Sequence, residues 1–341
     1  MSHAAGISRP VQWYAAGLIV GLALWNSHSA GSAAAAPPTV VEYPLPRARA
    51  FPHDPAVGKD GSVWYTDQAN SYIGRLDPTT GHVTDYATPT RASGPHGIVV
   101  GPDGAVWYTA NFAGRLGRVD PASGAIKEYA LPAAARDPHT PLYYDGKIWF
   151  TAQGANLYGY LDPASGVATL FPVATPKARP YGLVAGRDGS IWVALFGTNQ
   201  IGRINPVDGA LREFSLPDAG ARPRRLIVDA QGIVWYTDNA RGYLGRLDPA
   251  TGKVREFPAP GGGASQPYGI ALGTDGRVWY DEAGKNEMVA FDPLTARTET
   301  VAIPTPGAVV RNIAVDSTRR RLWLALSGTQ RLGRIDLAPP H

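Results

Sequence analysis

The sequence contains no cysteine and only two methionines among its 341 residues. Without cysteine no disulfide can form, so stability has to come from the burial of apolar side chains and from closure of the fold. Charged residues are scarce at 18%, and 32 basic residues nearly balance 28 acidic ones. This mild balance, with no single basic cluster, argues against a nucleic-acid partner.

Long apolar runs are also missing, with one exception near the N-terminus. Arg9 precedes an apolar run over residues 11–25, and small residues follow as far as Ala36. This layout predicts a secretory signal peptide over residues 1–36 ahead of a domain over residues 37–341. A membrane anchor is the alternative, but a spanning helix needs about 20 apolar residues. We expect an exported protein, periplasmic or secreted, that is monomeric and free of the membrane once the signal is removed.

The sequence does contain tryptophans that recur at a regular spacing. Short runs rich in valine, isoleucine and tyrosine surround each tryptophan and are bounded by turn-forming residues. A period near 43 residues built from such runs is typical of an all-β, seven-bladed β-propeller with one blade per repeat. The recurring tryptophans, 42 to 44 residues apart, are Trp64, Trp107, Trp149, Trp192, Trp235, Trp279 and Trp323.

Each repeat predicts four strands, a to d. Asp-Gly pairs stand directly before the tryptophan strand b, where a tight hairpin needs residues that tolerate positive φ. Arginines recur at a fixed Gly-Arg position, as in Arg75 and Arg118, which predicts a structural role in every blade. The seventh repeat ends after its third strand, and residues 40–46 match the d strands of other repeats. We therefore expect the N-terminal strand to complete the last blade and close the ring, which removes an exposed sheet edge.

Strand a of each repeat should line the central channel, so the residue after its leading proline should face the channel mouth. Histidine suits proton transfer near neutral pH, and three around one mouth could supply a base, an acid or a metal ligand. The alternative is that they are only the polar lining of the channel. In blade order, this ring reads His53, His96, His139, Tyr181, Arg224, Tyr268 and Arg311.

The repeat resembles that of the virginiamycin B lyase (streptogramin B lyase) family. The motifs that carry the resemblance are Pro-His/Tyr-Gly-Ile, Gly-x-Asp-Gly-x-x-Trp-Tyr/Phe-Thr, Ile/Leu-Gly-Arg-Leu and x-Glu-Tyr/Phe-x-Leu-Pro. They extend from about residue 40 to residue 337. Family members that act on streptogramin B antibiotics are seven-bladed propellers that use Mg²⁺, and they open a cyclic depsipeptide at its ester by elimination.

The resemblance implies a site across three neighbouring blades. His139 would be the base and His96 an acid or an orienting group. Asp137 and Gln153 would be ligands of Mg²⁺, and Tyr181 would position the substrate. The sequence departs from the family at the metal, because Asp137 is shorter than the family's glutamate. The second family glutamate falls on Ala152 or Gln153, and both of these are uncharged.

Two other functions remain open from the sequence. One is a metal-dependent lactonase or esterase, in which acids of the same face would hold the metal. The other is an exported, non-enzymatic propeller that binds a small molecule, a peptide or a partner at an aromatic mouth. The acids are Asp54, Asp67, Asp238, Asp281 and Glu282, and the aromatic residues are Phe112, Phe196, Tyr181 and Tyr268.

Overall fold

A computed structural model describes Met1 and residues 37–339, so residues 2–36 of the predicted signal peptide lie outside the described chain. The described part is almost entirely β-structure, with short 3-10 helices at Asn111–Ala113, Gly262–Ala264 and Ser327–Thr329. None of its helices has the length and apolar character needed to cross a membrane. The strands are β1 (Val40–Pro44), β2 (Pro52–Val57), β3 (Val63–Asp67), β4 (Tyr72–Leu76), β5 (Val83–Ala87), β6 (Pro95–Val100), β7 (Val106–Ala110), β8 (Arg115–Val119), β9 (Ile126–Ala130), β10 (Pro138–Tyr144), β11 (Lys147–Ala152), β12 (Leu157–Leu161), β13 (Ala168–Pro172), β14 (Pro180–Ala185), β15 (Ile191–Leu195), β16 (Gln200–Ile204), β17 (Leu211–Ser215), β18 (Pro223–Val228), β19 (Val234–Asp238), β20 (Tyr243–Leu247), β21 (Val254–Pro258), β22 (Ile270–Leu272), β23 (Val278–Glu282), β24 (Glu287–Phe291), β25 (Thr298–Ala302), β26 (Val310–Asp316), β27 (Arg321–Leu326) and β28 (Arg331–Asp336).

These strands form seven four-stranded antiparallel sheets, which are the blades of a β-propeller. Blades one to six each use four consecutive strands, starting with β2 to β5 in blade one. Blade seven has the order β26-β27-β28-β1, with Val40 opposite Ile335 and Pro44 opposite Arg331. The predicted fold and its closure by the N-terminal strand are therefore confirmed. Closure pairs the first and last strands of the described residues and leaves β28 without a free edge.

The predicted hairpins before the tryptophan strands are also confirmed. Gly61 and Gly104 have φ of 87° and 84°, a left-handed conformation that glycine adopts without the steric cost of a Cβ atom. Gly74, in strand c of blade one, is required for packing and not for a turn. A Cβ on Gly74 would lie 2.0 Å from Tyr65 Cζ, so this glycine lets the ring of the neighbouring strand pack directly on the backbone.

The tryptophans lie between neighbouring blades, as predicted. Trp64 of blade one packs with Ile98 and Val106 of blade two, and Trp323 of blade seven packs with Val63 of blade one. All seven are 2% exposed or less. Each fully buried aromatic side chain contributes about 1.5–3 kcal/mol through loss of apolar surface from water, so the blade interfaces hold most of the hydrophobic core.

Three of the repeated arginines, Arg75, Arg118 and Arg203, pair with the hairpin aspartates of their own blades. Arg75 Nη2 lies 2.6 Å from Asp60 Oδ2, and Arg118 Nη2 lies 3.0 Å from Asp103 Oδ2. These pairs are largely solvent-exposed, and such pairs contribute little to stability. They give these arginines a structural role within their own blades.

Candidate functional site

The ring of residues at the channel mouth is held in place by threonines of the b strands. The Oγ1 of Thr66 donates to the backbone carbonyl of His96 at 2.7 Å. Thr109 does the same for His139 at 2.7 Å, and Thr151 for Tyr181 at 2.8 Å. Each threonine therefore fixes the mouth residue of the next blade. The last threonine of the motif Trp-Tyr/Phe-Thr thus positions the ring that the sequence predicted.

The aromatic members of this ring touch one another around the channel. The centroids of His53 and His96 are 3.6 Å apart, as are those of His96 and His139. His139 and Tyr181 follow at 3.9 Å. The hydroxyls of Tyr181 and Tyr268 are in contact, and the Tyr268 and His53 centroids are 6.5 Å apart. The five rings form one circuit, which we call the aromatic circuit.

The aromatic circuit fills the mouth and is closed to solvent. The three histidines are each 4% exposed, and Tyr181 and Tyr268 are 2% and 3% exposed. The sequence predicted that these residues face the channel mouth, and they meet there, but their side chains pack against one another and are buried. The strands lie close enough at the ring centre that side chains of this size meet.

Burial also determines the charge of the imidazoles. Desolvation holds the pKa of His53, His96 and His139 well below the usual value. The positive charge of Arg225 lowers the pKa of all three further, and electrostatic coupling to a neighbouring imidazole adds to this for His96 and His139. The three rings are therefore neutral at pH 7, and a neutral imidazole can accept a proton.

An ion pair crosses the channel at this level. Arg225 Nη2 lies 2.8 Å and 3.0 Å from the two oxygens of Asp54, which comes from the opposite side of the ring. Asp54 Oδ1 also lies 2.9 Å from His53 Nδ1. His53, Asp54 and His96 each place one ligand atom within 4.8 Å of the others, so these three are a group that could hold a metal ion.

The sequence-predicted metal ligands lie at the start and end of one blade-three hairpin. Asp137 has φ of 51°, is half-buried, and accepts the Gly154 N–H at 2.9 Å and 2.7 Å with its two oxygens. Gln153 precedes Gly154 and is also half-buried. Burial raises the pKa of Asp137. The structure thus places Asp137 against the backbone beside Gln153, in a contact that shapes the loop.

Four of the five acids considered for a lactonase accept backbone N–H groups in the same way, and the fifth, Asp54, is paired with Arg225 instead. Asp67 accepts the Phe51 N–H at 2.9 Å, and Asp238 accepts the Arg222 N–H at 3.0 Å. Glu282 accepts the Gly261 N–H at 3.0 Å. These carboxylates fix the loops that precede each a strand. The acids considered come from blades one, five and six and are spread around the ring, which gives no support to a metal site shared by all of them.

The sequence analysis missed Asp54 and Arg225 as a pair, and it gave no role to Arg224 or Arg311. The signal was present one position after the ring. In blade order these positions are Asp54, Gly97, Thr140, Gly182, Arg225, Gly269 and Asn312, with one acid and one base among them. Opposite charges at the same level of a narrow channel can reach each other across it.

The fold and this site define a seven-bladed β-propeller whose channel mouth holds three neutral histidines, two tyrosines and several arginines. The model of the virginiamycin B lyase family matches residues 23–195 and 142–339. The chain belongs to the virginiamycin B lyase family.

Solved structures agree with this assignment. A streptogramin B lyase structure is 25% identical with a TM-score of 0.81, over 88% of this chain and 98% of its own. The virginiamycin B lyase of Staphylococcus aureus is 25% identical with a TM-score of 0.82, over 89% of this chain and 100% of its own. The same enzyme has been solved as a catalytically inactive variant with quinupristin. No curated protein matches the chain.

Proposed function

We propose that this protein is a virginiamycin B lyase-like enzyme that opens a cyclic depsipeptide, of the streptogramin B type or a related envelope ester, at its ester bond. The observation that carries the proposal is the unbroken contact of His96, His139 and Tyr181 in one mouth. The family membership and the lyase structures it resembles support the same reaction class. The ligand is a small molecule or peptide bound at the mouth.

In this reaction His139 accepts the proton from the carbon beside a carbonyl. The electron pair of that C–H bond forms a carbon–carbon double bond, and the bond from the β-carbon to the ester oxygen breaks. The leaving oxygen becomes part of a carboxylate, and His139 holds the proton until the product leaves and water can take it up. His96, 3.6 Å from His139 between ring centroids, orients the base, and Tyr181 positions the substrate. The depressed imidazole pKa keeps the base unprotonated at neutral pH.

The predicted Mg²⁺ is a poor fit to the residues assigned to it. Mg²⁺ prefers carboxylates and other hard oxygen ligands in octahedral geometry. Asp137 is the one carboxylate of the predicted pair, and both of its oxygens already accept the Gly154 N–H. Arg136 and Arg179 add positive charge nearby.

The buried histidine group fits no better. His53 and His96 bring nitrogen ligands, and the single carboxylate of Asp54 is already bonded to a guanidinium. Neither set of ligands suits a hard dication. We therefore route no step of the proposed reaction through a metal.

Incubation of the protein with quinupristin, read by mass spectrometry, tests the proposal. Elimination leaves the mass unchanged but alters retention and creates an unsaturated residue, whereas hydrolysis adds the mass of one water. We expect His139→Ala to lose at least about 100-fold in rate, the usual range for a general base, and His96→Ala to lose less. His82→Ala, an exposed histidine in a turn, is the matched control. Hydrolysis, or full activity of His139→Ala, would exclude this reaction.

Burial of the aromatic circuit favours a second candidate, an exported propeller that binds its ligand without chemistry. Imidazoles that are 4% exposed are also what a packed structural plug would present. In that case equilibrium dialysis would show quinupristin or an envelope peptide bound and released unchanged. Export itself is proposed from the predicted signal peptide. Cell fractionation, with an Arg9→Glu variant that reverses the charge before the apolar run, tests it.

A further inference from the structure

Three guanidinium groups gather around one tyrosine at the mouth. The Cζ of Arg224 lies 3.9 Å from the centroid of Tyr268, that of Arg311 lies 5.4 Å away, and that of Arg225 lies 5.8 Å away. They come from blades five and seven, on either side of the blade that carries Tyr268. The aromatic face holds the cations close together without neutralising them.

The carboxylates near Tyr268 do not balance the positive charge of these three arginines. Arg225 is paired with Asp54. Arg224 Nη1 donates to the neutral amide of Asn239 at 3.0 Å. Across residues 37–339, neither Arg224 nor Arg311 forms an ion pair with a carboxylate, and the Nε atoms of both are buried without a partner.

Asp281, another acid near these arginines, contributes little negative charge. Asp281 is fully buried and spends one oxygen on the N–H groups of Tyr268 and Gly269, at 3.0 Å and 2.6 Å. Burial raises its pKa to about 7, which weakens its negative charge at neutral pH. Arg224 and Arg311 are half-buried, and positive charges that are partly withdrawn from water without a counter-charge favour an anion.

We propose that Arg224 and Arg311 form a carboxylate-binding site at the mouth. A carboxylate is planar and accepts two parallel N–H bonds from a guanidinium fork, and it would use the unpartnered Nε donors of both arginines. This inference rests on the proposed function for its ligand. The ester oxygen that leaves during elimination ends as a carboxylate, so the same site binds the product.

The site also supplies the positive charge that the poorly fitting metal would otherwise provide. When the C–O bond breaks, the electron pair moves onto the ester oxygen, and preorganised guanidinium groups stabilise that charge as it forms. The arginines act on the leaving group, whereas His139 acts on the carbon-bound proton. Chelation of divalent cations should therefore leave the elimination rate unchanged.

Binding of a simple carboxylate tests the site apart from catalysis. Isothermal titration of the protein at pH 7 would use N-acetylphenylglycine, with its methyl ester as the neutral counterpart and inorganic phosphate as the other anion. We expect the acid to bind at least about tenfold more tightly than the ester or phosphate. Arg311→Gln and Arg224→Gln should each lower the affinity for the acid by at least about tenfold, and Arg311→Lys should lower it less.

The matched control is Arg255→Gln, on the exposed outer strand of the same blade as Arg224, which should bind like the wild type. Circular dichroism confirms that each variant is folded. Equal affinity for acid and ester, absence of measurable binding, or unchanged affinity in both glutamine variants would overturn the proposal. Tighter binding of phosphate would replace the carboxylate with a phosphate ligand. A protein that binds the acid but leaves quinupristin intact would keep this site and remove the lyase.

Discussion

Asp54 and Arg225 are 171 positions apart in the chain, yet their side chains meet inside the channel at 2.8 Å. Blade one provides the acid and blade five the base, so the pair ties opposite sides of the ring together. Both side chains are buried, at 2% and 7% exposed. At this burial the pair is stable only while both partners are present, because either charge alone is costly to bury.

We therefore expect Asp54→Asn to lower the free energy of unfolding by about 3–5 kcal/mol, since it leaves the Arg225 guanidinium without its counter-charge. The double variant Asp54→Asn with Arg225→Met should recover a large part of that loss. Urea denaturation followed by tryptophan fluorescence measures both. The control is Asp60→Asn, which breaks the exposed pair with Arg75 and should cost far less. Equal losses of unfolding free energy in Asp54→Asn and Asp60→Asn would show that the cross-channel pair stabilises the fold no more than an exposed pair does.

The histidines of the aromatic circuit should make the protein less stable in acid. Burial depresses their pKa in the folded state, whereas in the unfolded chain it returns to about 6.5. Below about pH 6.5 the unfolded chain binds more protons, so stability is complete above that pH and is lost as the pH falls.

His96→Gln should therefore reduce the loss of stability between pH 7.5 and pH 5.5, as measured by urea midpoints at each pH. The reason is that one of the groups that must remain neutral has been removed. His82→Gln serves as the control, because this histidine is exposed in a turn. A pH dependence in His96→Gln identical to that of the wild type would mean that the buried imidazole does not contribute.

Asp281 should act in the opposite direction. Its folded pKa of about 7 lies above the usual value of 3.8, because the carboxyl group is desolvated. The folded state therefore binds the extra proton, and the stability from this group is complete at low pH and is lost as the pH rises through 7.

Asp281→Asn keeps an acceptor for the N–H groups of Tyr268 and Gly269 and removes the titration. We expect the variant to gain stability relative to the wild type at pH 8, and the gain to shrink at pH 5. Asp77→Asn is the matched control with the opposite sign. Hydrogen bonds from the Thr79 N–H and the Thr80 hydroxyl lower the Asp77 pKa, so its loss should destabilise at pH 8. If Asp281→Asn changed the free energy of unfolding equally at pH 5 and pH 8, Asp281 would not titrate in the folded protein as proposed.

The fold could be predicted from sequence because every blade repeats the same local signals. The Trp64 position, the Asp-Gly turn and the Gly-Arg step each have a local physical cause, and seven copies average out the exceptions. The members of the ring, including His96 and His139, could be predicted for the same reason. Their mutual contacts could not, because centroid distances of 3.6 Å depend on how closely seven strands converge.

The rest of the candidate site could not be predicted, because it consists of contacts between residues that are far apart in the sequence. The Asp54–Arg225 pair joins blades that are not neighbours. Asp137 looked like a metal ligand by resemblance, and its bonds to the Gly154 N–H appear only once the hairpin is built. Periodicity therefore predicts the features that all blades share, whereas the candidate site depends on residues that differ from blade to blade.

The closing strand β1 offers the most direct test of the ring itself. Val40 is 6% exposed and packs in the core of blade seven, whereas the next residue, Val41, is 41% exposed on the other face of the same strand. Val40→Asp would bury a carboxylate without a partner, so we expect it to lower the free energy of unfolding by at least about 2 kcal/mol. Val41→Asp should change it by less than about 0.5 kcal/mol. Urea denaturation gives both values, and size-exclusion chromatography should show association of Val40→Asp through the uncovered edge of β28. Equal effects of the two substitutions would mean that the N-terminal strand does not close the propeller in solution.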